Sequence, residues 1–473
     1  MSVLALFLLT ANIALTERAT SIALVRAEEH LASLRESASI KGNTSRGSAG
    51  NLIELSSENI VAMETEFIYT IHHVAQRMSE PRGIVLPLFD GIAALGMSLI
   101  MELRNMSVDL PIEVPHCGDL NDSLQRTVLE KEDMGTIRFY DVCELAAQTV
   151  STLDESRKVF CQSITTCHRS YRSFDIKLLA VTFSQFEELM LLDADTLFFE
   201  SPMSLWDTDK YRSTGTLFFH DRISQANMYL GHPFSDNNNV SDLNRYISSF
   251  DVSLFAPLGK IDRPNATSEN EIPVELSNYS PSEHLLTSHS WNHRAGHEMD
   301  SSLVLWSKKR QPRATAILAS FTARGTIKRP PSYGDKELFF IAAELAETQY
   351  AFSDFGVGGV GWDIRDNGPN KSVVCGHASH YYPEKPADLS TAANTSVLYL
   401  NSDSILSYDP NNEPVYYSQA RLYEVYAGSF GERGWPQECP FDVTVVRFSA
   451  EQEERMLQRQ RFHEIVASWI EEQ

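Results

Sequence analysis

The sequence predicts an α/β layered fold built on a mostly parallel sheet. Three observations predict it. Short apolar runs alternate with helical stretches from Arg82 onward. The 473 residues are 42% hydrophobic and 22% charged, which is enough for a sizeable core. One apolar run, Glu188 to Leu192, ends directly on Asp193-Ala194-Asp195. Strands alternating with helices pack as layers around a parallel sheet.

Taken in order, residues 1–25 read as a signal peptide or signal anchor. The apolar run within Met1–Thr16 is short of the roughly 20 residues that span a bilayer, and it lacks the usual basic segment before it. A buried first strand or helix is the bland alternative. Residues 26–80 are polar and helix-prone, a stem followed by a helix leading into the domain, with a flexible patch at Lys41–Gly50. Gly83–Phe89 reads as a strand, Ile92–Arg104 as a helix, Leu110–Val114 and Ile137–Tyr140 as strands. Phe174–Val181 reads as a helix and Glu188–Leu192 as a buried strand. A loop-rich region spans about 208 to 295. Ser302–Trp306 is then a strand and Asp335–Glu347 a helix. Residues 81–448 form the α/β domain, and 449–473 an amphipathic, charge-rich terminal helix whose plain reading is packing.

The net charge of −23, from 40 Lys and Arg against 63 Asp and Glu, argues against a nucleic-acid partner. Sequons stand at Asn43, Asn105, Asn121, Asn239, Asn265, Asn278, Asn370 and Asn394, a mild excess compatible with a glycosylated lumenal protein. The cysteines are Cys117, Cys143, Cys161, Cys167, Cys375 and Cys439, an even number with no Cys-x-x-Cys pair to suggest zinc. Disulfides fit a secretory route; their connectivity is not readable.

The sharpest chemical signal is Leu189-Met-Leu-Leu-Asp-Ala-Asp-Thr196. In a strand, residues i and i+2 point to one side, roughly 7 Å apart. Asp193 and Asp195 are therefore expected to face one crevice at a strand's carboxyl end, where open α/β sheets bind ligands. Two converging carboxylates need a cation, and hard oxygens suit Mg²⁺ or Mn²⁺. A haloacid-dehalogenase phosphatase would place Thr where Leu197 stands. An EF-hand would need further ligands and a glycine where Leu197 and Phe198 stand. A pair that merely caps its strand is the remaining alternative.

The wider stretch Phe174–Trp206 resembles nucleotide-sugar transferases of the GT-A fold, and is most similar to fungal α-mannosyltransferases of glycosyltransferase family 71. Arg82-Gly-Ile-Val-Leu-Pro87, Leu103-Arg104 with Leu110–Glu113, Glu298-Met-Asp-Ser-Ser-Leu-Val-Leu-Trp-Ser-Lys308, Tyr333-Gly-Asp-Lys-Glu-Leu-Phe339 and Cys375-Gly-His-Ala-Ser-His380 resemble that family in the same order. The resemblance covers about residues 82–405. The long loop at 208–295 and Asp300-Ser301-Ser302 depart from it.

The resemblance implies a GT-A-type, Rossmann-like transferase domain that moves a mannosyl group from GDP-mannose to a glycan or glycoprotein acceptor hydroxyl with retention. The same fold using a UDP-sugar, or a catalytically silent carbohydrate-binding protein, are the alternatives. It implies Mn²⁺ or Mg²⁺ as cofactor, with Asp195 the direct ligand, Asp193 an outer-sphere or donor contact, and His380 or His377 a further ligand. Lys177 is implied to contact the diphosphate and Arg82 the nucleotide. Asp335, Asp300 and Glu337 are candidates beside the reacting sugar, each with a plain reading as a helix cap or turn residue. The expected location is the secretory pathway, in the Golgi lumen, with an N-terminal membrane anchor as one option.

Overall fold

The computed structural model describes residues 57–234, 240–268, 279–325, 327–366, 372–385, 395–402, 404, 407–408, 414–425, 428–431 and 438–471. The expected signal segment 1–25 and most of the stem lie outside them. Among the described residues no helix is long and apolar enough to cross a membrane.

Helix α1 (Ser57–Ala75) leads into β1 (Glu80–Val85). The chain then steps outward through α2 (Ala93–Asn105), β2 (Ile112–His116), α3 (Asp122–Leu129) and β3 (Ile137–Asp141). It returns through α4 (Val142–Gln148), α5 (Ile164–Tyr171) and α6 (Ile176–Phe183) to β4 (Phe186–Leu192), on the other side of β1. After β5 (Thr196–Phe198) and α7 (Asp209–Thr214), β6 (Thr216–His220) forms the far edge of the sheet. Helices α8 (Asp242–Ser249) and α9 (Glu283–Thr287) precede β7 (Met299–Ser307), which slots between β4 and β6. The order is β3-β2-β1-β4-β7-β6, parallel from β3 to β4 and antiparallel beyond.

Alternation along the strands divides the core. Val85, Leu189, Leu191, Val304 and Trp306 face α6, α10 (Pro312–Ser320) and α11 (Leu338–Leu345). Ile84, Met190, Leu192, Leu303 and Leu305 face α2 and the terminal helix α12 (Ala450–Glu471). All nine residues of β7 are buried, as a strand flanked on both edges and covered on both faces requires.

A second sheet follows, made of β8 (Gly358–Asp366), β9 (Ser372–Tyr381), β10 (Val397–Asn401), β11 (Tyr416–Ser418), β12 (Ser429–Gly431), β13 (Glu438–Val443) and β14 (Val445–Arg447). Strand β10 pairs with β9 on one side and with β5 on the other, so it joins this sheet to the segment just after Asp195.

All six cysteines pair, as Cys117–Cys143, Cys161–Cys167 and Cys375–Cys439. Asn105, Asn121 and Asn265 are exposed sequon asparagines; the other five lie outside the described residues. The loop-rich region 208–295 carries, among its described residues, the short helices α7, α8 and α9. It contains β6, an all-buried strand of only five residues, too short to stand out in a polar stretch.

Helix α1, where a helix leading into the domain is expected, packs into the core. Its Phe67, Ile68, Ile71 and Val74 are buried, and so is His72, at 6% exposure. Burial, aided by His73, holds the His72 imidazole down at about 4. A histidine depressed when folded contributes stability above its unfolded value near 6.5, and loses it as pH falls toward 4. Urea unfolding should therefore show about 2 kcal/mol less stability at pH 5 than at pH 7 from this group. His72→Leu should remove that increment, and an unchanged pH slope in the variant would exclude the assignment.

Candidate active site

The chain leaves β1 toward β2 and comes back at β4, so the loops after β1 and β4 diverge and leave a crevice at the carboxyl edge of the sheet. A cavity of about 520 Å³ occupies it. Its walls are the segment after β1 (Pro87, Phe89, Leu95), the start of α6 (Phe174, Ile176, Lys177), Asp119 with Arg172, and the turn Asp193-Ala194-Asp195.

The two aspartates do not stand on a strand. Strand β4 ends at Leu192, and Thr196 N donates to Asp193 O at 3.2 Å, closing a tight turn before β5. Both still line the same cavity. Asp193 is anchored by its amide to Ser302 O at 2.9 Å, and Ser402 N donates to Asp195 O at 2.9 Å. The motif is thus held by β7 and by the end of β10 together.

Lys177, the second residue of α6, is the buried cation of the site. Its Nζ lies 2.6 Å from Asp193 Oδ1 and 3.3 Å from Asp335 Oδ2, and donates to Ser301 O and Oγ at 3.3 and 3.2 Å. Burial opposes its charge, but Asp193 and Asp335 outweigh that and hold it above the ordinary lysine range. For Asp193, burial comes first and lifts the carboxyl to about 7. Lys177 pulls against this, while Asp195 and Asp335 add to it. The Asp193 side chain is 28% exposed, so solvent screens part of the repulsion. Asp195 and Asp335 both press on the Asp193 carboxyl while Lys177 alone counters them, so the cavity floor carries surplus negative charge. Gly334, at φ 65°, makes the turn that presents Asp335 to Lys177.

The other expected residues stand elsewhere. Asp300, on β7, is 7% exposed. Its Oδ1 accepts from Ser302 N at 2.7 Å, and its Oδ2 lies 3.4 Å from His380 Nε2. Burial would raise that carboxyl, but His380, Lys336 and the Ser302 amide hold it far below the usual range. His380 is therefore turned toward Asp300 and stacked on Tyr399, with ring centroids 4.6 Å apart. His377, three residues earlier on β9, lines a separate small cavity with Val360, Trp362 and Met456. Glu337 is fully buried and accepts from Ser332 Oγ and Glu298 N while facing His297 Nδ1 at 3.1 Å; it locks the start of α11. Arg82 stands opposite Glu188, five residues before Asp193, pairs with that carboxylate and lies over Trp206 at 4.4 Å. Of the nine residues singled out in the sequence, only Lys177, Asp193 and Asp195 line the cavity. Among the described residues no group of three or more His, Cys, Asp or Glu is arranged to hold a metal alone.

Sequence reading missed Asp221, which follows β6 and pairs with Lys336. It also missed Ser301 on Lys177, and the Asp119–Arg172 pair, 2.7 Å apart, at the cavity's far wall. None carries a local motif; only the fold brings them in.

A family model described as "Mannosyltransferase putative" matches residues 81–381. A Candida albicans protein, "Putative alpha-1,3-mannosyltransferase MNN1", is 25% identical over 337 residues, covering 68% of this chain and 38% of that protein. The "Probable alpha-1,3-mannosyltransferase MNT4" of Saccharomyces cerevisiae is 25% identical over 342 residues, covering 69% and 53%. The yeast "Alpha-1,3-mannosyltransferase MNT2" is 28% identical over 159 residues, covering 34% and 26%. The chain thus spans 26 to 53% of the length of these relatives. Among solved structures, "WbbM bifunctional glycosytransferase apo structure" covers 58% of this chain and 39% of its own, at a TM-score of 0.30 and 13% identity. That likeness is too slight to carry an argument.

Proposed function

The chain belongs to this mannosyltransferase family, glycosyltransferase family 71, and on that premise we propose that it transfers a mannosyl group from a nucleotide-sugar donor, GDP-mannose, to a glycan hydroxyl with retention. The observation that carries the reading is the Asp193-Ala194-Asp195 turn, on the floor of a 520 Å³ cavity at the sheet's switch point. That shape and position suit a nucleotide diphosphate in a GT-A-type domain.

The donor set fits a divalent cation. Asp193 and Asp195 are hard oxygen ligands in a floor with excess negative charge. Mg²⁺ and Mn²⁺ are commonly held by one or two carboxylates together with substrate phosphates rather than by a full protein cage. Asp195 and Asp193 would hold the ion, and its chemistry would be to neutralise the diphosphate as it departs. His380 and His377 are not part of this proposed ligand set. Lys177 orients Asp193 and puts a second positive charge at the diphosphate's edge. Asp335 shares that lysine and fixes its direction, while Leu95, Ile176 and Phe174 give the cavity apolar walls. Exposed sequons and three disulfides suit an oxidising, glycosylating compartment, which we propose to be the Golgi lumen.

The test is thermal unfolding of the protein with GDP-mannose, UDP-galactose and UDP-glucose, each with and without Mn²⁺. A donor at a hundred times its Kd stabilises the folded state by about 2.7 kcal/mol. A rise in Tm with GDP-mannose that needs Mn²⁺ is the expected result. A rise with UDP-sugars alone would discard the donor, and no rise with any nucleotide would leave a carbohydrate-binding protein without transfer activity.

A further inference from the structure

The carbonyls of the aspartate turn each have a partner. Thr196 N donates to that of Asp193, and Ser402 N to that of Asp195. The two that flank Asp195, those of Ala194 and Thr196, both accept from one guanidinium. Arg459 Nη2 reaches Ala194 O and Arg459 Nη1 reaches Thr196 O, each at 2.8 Å. Arg459 lies on α12, 78 residues past the end of the family match at 381, and is only 2% exposed. Its other donors go to Leu95 O at 2.8 Å, Ser98 Oγ at 2.9 Å and Glu102 Oε2 at 2.7 Å. A guanidinium has five N–H groups in a rigid fork, and all five are used. The other Glu102 oxygen accepts from Phe198 N at 2.6 Å, on the strand leaving the turn.

A fully buried charge is a costly way to fasten a terminal helix, since apolar residues of similar volume fasten helices as well or better. What a fork of five donors adds is direction. By drawing the carbonyls on either side of Asp195 toward α12, it fixes the peptide planes of the turn, and with them the side on which the Asp195 carboxylate emerges. Leu95 lines the cavity and hands its carbonyl to the same guanidinium, so the opposite wall is set by the same group. We propose that Arg459 is a positioning residue for Asp195, a role that rests on the reading of this cavity as a cation-assisted donor site. Arg459 touches no substrate; it acts by holding the turn in the conformation that receives the cation and diphosphate.

The experiment compares the full chain with Arg459→Met, Arg459→Lys and a control, Val466→Ala. Val466 is buried on the same helix, seven residues and about 10 Å beyond Arg459, so its truncation loosens α12 away from the guanidinium. Two quantities are read. One is amide hydrogen exchange of residues 194–198 without metal or nucleotide. The other is the Mn²⁺ concentration that half-saturates the Tm rise with GDP-mannose. Groups that orient a metal ligand typically change metal affinity 10- to 100-fold. The expected result is exchange at 194–198 faster by at least about tenfold in Arg459→Met, with half-saturating Mn²⁺ raised about tenfold or more. Arg459→Lys, which keeps charge without the fork, should fall between, and Val466→Ala should stay within about twofold on both. If Arg459→Met does not fold, the lysine variant carries both measurements. Equal exchange in the Arg459 variants and Val466→Ala would overturn the proposal. So would an unchanged Mn²⁺ requirement beside faster exchange. If the unmodified chain shows no response to any nucleotide, the donor-site reading has failed; exchange then decides separately whether Arg459 pins the turn.

Discussion

Replacing Asp195 with alanine is expected to reduce mannosyl transfer by at least about 10³-fold while leaving the fold intact. The carboxylate lines the cavity and belongs to a floor that already carries more negative than positive charge. Removing it takes away the direct ligand proposed for the cation, and charge stabilisation of a departing diphosphate is worth several kcal/mol, of which about 4 correspond to that rate factor. Stability should not fall, because Asp195 is one of the groups that push the Asp193 carboxyl upward. Transfer from GDP-mannose to a mannoside acceptor, together with a urea melt of the same sample, checks both halves. Activity within tenfold of the unmodified protein would remove Asp195 from the proposed chemistry.

Lys177→Met is expected to do the opposite to stability, costing about 3–5 kcal/mol. That is the usual penalty for removing one partner of a buried ion pair and leaving the other uncompensated. Here two carboxylates lose their cation at once, Asp193 at 2.6 Å and Asp335 at 3.3 Å, with Asp335 almost wholly buried. The loss should be partly restored in Lys177→Met/Asp335→Asn, where one of the stranded charges is gone. Chemical denaturation of the single and double variants gives the coupling directly. A single-variant loss under about 1 kcal/mol would mean that water, not Lys177, satisfies these groups.

How far the sequence discloses this arrangement depends on the range of the signal. The parallel half of the main sheet is legible because short apolar stretches recur between helical ones, and the aspartate pair stands out because it ends the apolar run Leu189–Leu192. The expected boundaries drift by a few residues. The first strand runs Glu80–Val85 rather than 83–89, since the proline at 87 already belongs to the loop that walls the cavity. Strand β6 is invisible because three apolar residues, Leu217 to Phe219, in a long polar stretch do not reveal that they form a sheet edge. The second sheet is illegible for a related reason: the pairing of β9 with β8 on one side and β10 on the other is broken by shifts in register, so no even alternation marks its strands.

The same limit applies to single residues. Lys177 and Asp335 are 158 positions apart, and nothing local distinguishes them from a solvated lysine and a helix cap. Glu337 and Asp300 look as suited to sugar chemistry in sequence as Asp195, but they serve buried hydrogen-bond networks instead. Arg459 sits among Glu, Gln and Arg on a helix whose charges read as a solvent face, while in the fold it is the most fully bonded side chain beneath the turn.

Strand β10 has a mechanical meaning. It is hydrogen-bonded to β5 along one edge and to β9 along the other, so the strand that leaves the aspartate turn is built into the second sheet, while β4, which enters the turn, belongs to the first. Hinge motion of one sheet against the other would therefore bend the turn that joins them. Accommodation of a donor is therefore left to side chains and to the loops around the cavity mouth, while the floor behaves as a fixed template against which a substrate is gauged.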